Sequence, residues 1–223
     1  LMSTKIEIIE YQVGFFPKAS FLPNNDQLDE VINEIEVSLD IGSSIKQTFP
    51  VGQSPRILIA TQNLQVLLAN EKINLVYSLS GNSLGSLEEF KSILGKFLGT
   101  KLIKDMSFSR IGWVDSTIIN NDDPKYLAKN ILKNGLVDSL ENHSLVLDYS
   151  ISNVKTLRFE ISNVINSVDR SKAILLKSDI SKITDISAVR ALSEVLELSS
   201  SKTVAYYKSI FISGKQSGKR PDK

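Results

Sequence analysis

Apolar residues along this chain switch between two spacings, and the switches mark out the elements. The opening run STKIEIIEYQVGFF alternates Ile6, Ile8 or Ile9, Tyr11 and Val13 with polar neighbours, the period of two that suits a strand. NNDQLDEVINEIEVSL then moves to helical spacing. Leu28, Val31, Ile32, Ile35 and Leu39 fall three or four apart on one stripe, behind an Asn or Asp cap and acids in the first turn. RILIAT, LQVLLAN and KINLVYS follow as short β-rich runs separated by polar turns, and read as a meander. SLEEFKSILGKFLG closes this part as a second helix, with Ser86 and Glu89 at capping-box spacing, a stripe of Leu87, Phe90, Ile93, Leu94, Phe97 and Leu98, and Gly99 as the stop.

The same order of elements then returns. A long strand over SFSRIGWVDSTII carries the single tryptophan, with Ile111, Trp113, Asp115 and Thr117 expected on one face and Phe108, Arg110, Gly112 and Val114 on the other. DDPKYLAKNILKNG predicts a short helix, with Pro124 at its first position and Gly135 as its stop. HSLVLDYSIS, KTLRFEISN and KAILLKSDIS predict three alternating strands, and a last helix is expected from near Ser187. Its Val189, Leu192, Val195, Leu196, Thr203, Tyr206 and Ile210 span about 25 residues, or about 37 Å at 1.5 Å per residue.

The repetition predicts an α+β fold made by duplication of a strand, helix, three-strand, helix unit. The two copies are expected to form one continuous, mostly antiparallel sheet with helices packed on one side. Residues 1–100 form the first half and 101–213 the second, and no Pro-, Gly- or Ser-rich linker separates them, so one compact unit is expected. Residues 214–223, GKQSGKRPDK, hold four basic residues, one acid and no apolar side chain, the composition of a disordered basic tail. In the first half ILI, VLL and LVY are apolar on both faces, which calls for a cover on each. The second cover is expected to be a second copy of the chain, ahead of the last helix or a ligand. Second-half strands instead place Val146, Asp148 and Ser150, then Arg158 and Glu160, then Lys177 and Asp179 on a face expected to be wet.

Composition narrows the chemistry further. With 26 basic and 25 acidic residues the chain has no positive excess, so nucleic acid is not an expected partner apart from the tail. It has no cysteine, which removes disulfides, thiolate ligands and cysteine nucleophiles and fits a reducing, cytoplasmic setting. LMSTKIEIIE carries no apolar run of signal-peptide length, and no run of about 18 apolar residues occurs, so neither export nor a membrane partner is expected. The wealth of Asn, Ser, Ile and Lys suggests an AT-rich genome, hence a bacterial or phage origin.

His143 is the only histidine and sits where a turn meets a strand, which leaves no nucleophile-and-base pair and no metal set of the usual kind. GNSLGS at 81–86 precedes a helix but lacks the phosphate-loop pattern, and VGQSPR at 51–56 reads as a turn. Asp115, Asp148, Glu160 and Asp179 could converge as acid and base, yet they lie beside Arg110, Arg158 and Lys177, as on any solvated sheet face. No catalytic residue, metal or cofactor is therefore expected. Ligand-binding candidates are Tyr11, Phe15, Trp113, Tyr149 and Phe159, which could line an apolar pocket, together with Arg110.

RIGWVDSTII, followed by LLKSDIS and a helix ending in YYKSIF, resembles an uncharacterised, sporadically distributed bacterial protein family. Its members carry an Arg-Ile-Gly-x-Arg-Tyr-x-Asn-x-Ile strand, a later Leu-Asp-Ile-Asp strand and a final helix with a His and an aromatic end. Here Val114 stands for the second Arg, Ser116 or Thr117 for the Asn, Asp179 is the one later acid kept, and the final helix has no His. The resemblance implies no activity. The function expected from the residues is a non-catalytic binding protein that works through a protein contact or as a homodimer across the apolar first-half sheet. A small-molecule sensor is the alternative, and a hydrolase or nuclease using strand carboxylates comes last.

Overall fold

A computed structural model describes residues 5–20, 25–79, 83–120, 145–151, 154–165 and 172–183. The chain is α+β. Its elements are β1 (Lys5–Pro17), α1 (Asn25–Leu39), β2 (Ile45–Thr48), β3 (Ile57–Ala60), β4 (Leu64–Leu68), β5 (Ile73–Ser78), α2 (Ser83–Leu98), α3 (Lys101–Lys104), β6 (Phe108–Asn120), β7 (Leu145–Ile151), β8 (Val154–Ile165) and β9 (Lys172–Ile183). The nine strands form one antiparallel sheet in the order β2-β3-β4-β5-β1-β6-β9-β8-β7.

The two long strands that open the halves, β1 and β6, pair with each other at the middle of that order. Outward from β1 run β5, β4 and β3; outward from β6 run β9, β8 and β7. Strand for strand, the halves therefore mirror one another about the central pair. The edge strand β2 has no counterpart among the described residues, and the alternation rule missed it because all four of its side chains are exposed. The helices expected over 122–135 and from Ser187, His143 and the basic tail lie outside the described residues.

Both long helices of the first half pack on one side of the sheet. The stripe Leu28, Ile32, Ile35 and Leu39 of α1 and the stripe Phe90, Leu94 and Phe97 of α2 are buried against Ile57, Ile59, Val66, Leu68, Ile73, Leu75, Val13, Phe15 and Ile111. The second helix begins at Ser83, one turn before the expected cap at Ser86, and ends where Gly99 donates its N–H back to Gly95 and Lys96. A short third helix starts at once. Thr100 caps it through its hydroxyl on Ile103 N, while Glu34 of α1 accepts from the free N–H groups of Lys101 and Leu102, which ties the first helix to the second half of the helical layer.

Two bulges set the faces. The apolar positions of β1 run Ile6 and Ile8, then Tyr11, Val13 and Phe15, a change of parity that an extra residue, Ile9, absorbs between Ile8 and Glu10. A second register shift lies at Ser109, because Arg110 pairs with Phe16 while Phe108 pairs with Pro17. This overturns one expectation: Phe108 leaves the face of Arg110, is buried, and packs its ring 5.5 Å from that of Phe15 on the helix side. No sequence pattern announces that bulge, since Ser109 is polar on either reading.

Candidate functional site

The strands β1, β3, β4, β5 and β6 show α1 and α2 one row of side chains and turn the alternate row away from them. On the helix side Tyr11, Tyr77, Phe90 and Trp113 form one aromatic cluster. Phe90 lies 5.4 Å from Tyr77, 5.7 Å from Trp113 and 6.0 Å from Tyr11, and Tyr11 lies 5.4 Å from Trp113. Phe15 joins Phe97 at 5.9 Å. The structure thus brings Tyr11, Phe15 and Trp113 onto one face, as the alternation predicts, and fills the space over them with helix side chains. Tyr149 stands at a register position opposite Leu157 and Phe159 opposite Leu147 and Ser178; their side chains lie outside what is described.

Asp115 shares that covered face and is only 6% exposed. Burial pushes its carboxyl up to about 7, against which the neighbouring indole N–H of Trp113 acts. Trp113 Nε1 nonetheless makes no hydrogen bond of acceptable geometry, and the buried hydroxyls of Ser116 and Thr117 are likewise without one. Tyr11, directly across from Asp115, is raised to about 12 by its own burial and then by the Asp115 charge. The pairing of Asp115 with Asp179 that the sequence left open is not made by the register. Asp115 stands opposite Ser178, whereas Asp179 stands opposite Val114, one residue out of phase.

The remaining strand acids fall into rows of alternating charge. Asp148, Arg158 and Asp179 line up across β7, β8 and β9, and Glu160 stands between Val146 and Lys177. Among the described residues no group of three or more acids and histidines could hold a metal ion.

Arg110 belongs to the other face, apart from the aromatic candidates. Its guanidinium carbon sits 3.7 Å above the ring of Phe16, which Lys72 approaches from 5.4 Å. Phe16 was not a candidate in the sequence, although its adjacency to buried Phe15 signals an aromatic on the opposite face. Gly14 gives this patch its low floor, because a Cβ there would meet Lys72 Cε at 3.0 Å and Asn74 Oδ1 at 3.1 Å. Arg110 is half-buried, and no hydrogen bond or ion pair to its guanidinium is formed among the described residues. Elsewhere on the same side of the sheet, on β3, β4, β5 and further along β6, Leu58, Leu67, Val76, Val114 and Ile118 are part-exposed.

No family model matches the chain, and no curated protein does. Among the described residues no helix is long and apolar enough to cross a membrane.

Proposed function

We propose that this chain is a non-catalytic interaction protein that acts through protein–protein contact, with a second copy of itself as the first partner of the sheet face turned away from α1 and α2. One observation carries the reading. Leu58, Leu67, Val76 and Val114 keep part of their surface open while their strand neighbours on the other face are sealed under α1 and α2. Arg110, whose guanidinium lies over Phe16 and forms no hydrogen bond or ion pair among the described residues, is of a residue type enriched among the anchors of protein contacts. Balanced charge supports a protein rather than a polyanion as the partner. The mirrored strand order supports reading the halves as copies of one unit.

The sensor reading needs space beside Tyr11, Phe15 and Trp113, which Phe90 and Phe97 occupy. Carboxylate chemistry needs acids that face each other, and the register sets Asp148, Glu160 and Asp179 against Arg158 and Lys177 instead. The absence of cysteine fits a reducing compartment such as the cytoplasm of a bacterial host.

Light scattering on the eluting full chain tests the reading. A dimer is expected for the wild type, and Leu67→Glu or Arg110→Ala is expected to shift it toward monomer without loss of the folded circular dichroism signal. A wild-type monomer at every concentration, or a dimer indifferent to both substitutions, would sink it.

A further inference from the structure

A second surface lies at the rim of the first half, independent of the open face. Strand β2 is outermost in the sheet and pairs only with β3 among the described residues. A strand's backbone groups point alternately to its two sides, so the outer side of β2 presents N–H and C=O groups that no strand among the described residues takes. Such an edge is commonly blunted by shortness, a proline, a bulge, a charge or a covering helix or loop, and β2 is short, with four residues. Ile45–Thr48 has neither proline nor bulge, and its one charge, half-exposed Lys46, is engaged by α1, with Nζ 2.7 Å from Glu36 Oε2. Ile45 is 66% exposed, and Val51 just beyond the strand is 72% exposed.

Beside this edge runs a groove of about 360 Å³ lined by Asp29, Ile32, Asn33, Glu36, Lys46 and Thr48. That is the liquid volume of about a dozen waters, enough to take side chains arriving along the strand. Its wall is acidic. Helix α1 carries Asp26, Asp29, Glu30, Glu34 and Glu36 and no basic residue. Glu34 is engaged with α3 and Glu36 with Lys46 and Ser44, which leaves Asp29 in the groove with no ion pair among the described residues.

We propose that the outer edge of β2 and the acidic flank of α1 together dock an extended, lysine- or arginine-bearing peptide segment of a partner protein, added to the sheet as a further strand. Backbone hydrogen bonds supply the affinity, and alternate side chains the selectivity. Basic side chains reach the groove under α1, while the residues between them lie beside Ile45 and Gln47. Charge decides against a second copy here. Antiparallel pairing of β2 with its twin runs about a two-fold axis normal to the sheet, which sets the two acidic α1 helices side by side on the same face, a like-charge contact.

The test uses the full chain and a fluorescent octapeptide of alternating Lys and Val, read by anisotropy. Saturable binding is expected that weakens about tenfold or more in Asp29→Lys, an exposed helix position, and is unchanged in Leu67→Glu on the open face. A Glu-Val octapeptide and a Lys-Val octapeptide N-methylated at alternate residues are expected not to bind. Failure of the Lys-Val peptide to bind, equal binding of either control, or indifference to Asp29→Lys overturns the proposal. So does a chain dimer that Gln47→Pro abolishes, which assigns the edge to a second copy. Binding that appears only when residues 214–223 are deleted assigns it instead to the chain's own basic tail. A loss of dimer in Leu67→Glu with peptide binding intact separates this site from the open-face reading.

Discussion

The two faces of the same strands solve different problems. In β3, β4 and β5 every second residue is Ile57, Ile59, Leu64, Val66, Leu68, Ile73, Leu75 or Tyr77, all buried under the helices. The residues between them include Leu58, Leu67 and Val76, equally apolar, yet part-exposed. That alternate row also holds Gln65, Asn74 and Ser78, so it is mixed; at Leu58, Leu67 and Val76 the residue type matches the covered row and coverage is what differs. Apolar identity alone says that a position favours burial; only the layer above it says whether burial is achieved.

The sharpest way to break this contrast is to remove one large side chain from each face. Trp113→Ala takes away a side chain that is 1% exposed and touches both Tyr11 and Phe90, and is expected to cost about 3–5 kcal/mol in urea unfolding. Leu67→Ala on the same sheet is expected to cost about 1 kcal/mol. Equal losses would mean that both faces are core.

Asp115 supplies the next largest effect, as the one acid placed on the covered face of β6. Its carboxyl is raised from 3.8 to about 7 by burial, so the folded state holds a proton that the unfolded chain releases between about pH 4 and pH 7. Stability from this group is complete below about pH 4, declines across that window, and stays reduced above it. The gap between 3.8 and about 7 corresponds to about 4 kcal/mol at 1.36 kcal/mol per pH unit. Asp115→Asn is therefore expected to raise stability at pH 8 by up to about that amount and to change it little at pH 4. A denaturation midpoint for Asp115→Asn that keeps the same distance from wild type at both pH values would show that Asp115 titrates normally.

The covered face was largely legible in the sequence. The stripes of α1 and α2 and the odd-numbered residues of β1 mark it by period alone, and the change of parity near Ile9 even signals the bulge that the register contains. Trp113 as a large anchor on the strand joining the halves was equally readable. What failed to show was whatever depends on partners distant in the chain. The bulge at Ser109 moves Phe108 across the sheet because of its pairing with Pro17, and Asp115 is separated from Asp179 by a register that spacing does not encode. The edge strand β2 and the Arg110–Phe16 stack were invisible for a related reason: exposed positions carry no periodicity, and a cation over a ring is a contact between strands.

The smallest effect comes from the rim, where Glu36 has the opposite pH sign to Asp115. Hydrogen bonds from Lys46 and Ser44 hold the Glu36 carboxyl below its ordinary 4.5. Its contribution is present above about pH 4.5 and is lost as pH falls through the lowered value, when the carboxylate protonates and both bonds weaken. Lys46 is half in solvent, so screening limits the pair, and Glu36→Gln is expected to cost less than about 1 kcal/mol at pH 7 and less still in 1 M salt. Acid titration of the two single variants then reads the layers separately. Between pH 7 and pH 4 the wild type gains relative to Asp115→Asn, and below about pH 4.5 it loses its small advantage over Glu36→Gln. If Glu36→Gln instead matches Asp115→Asn in size, the rim of the sheet is sealed as firmly as its middle, and the edge beside α1 has no room for an added strand.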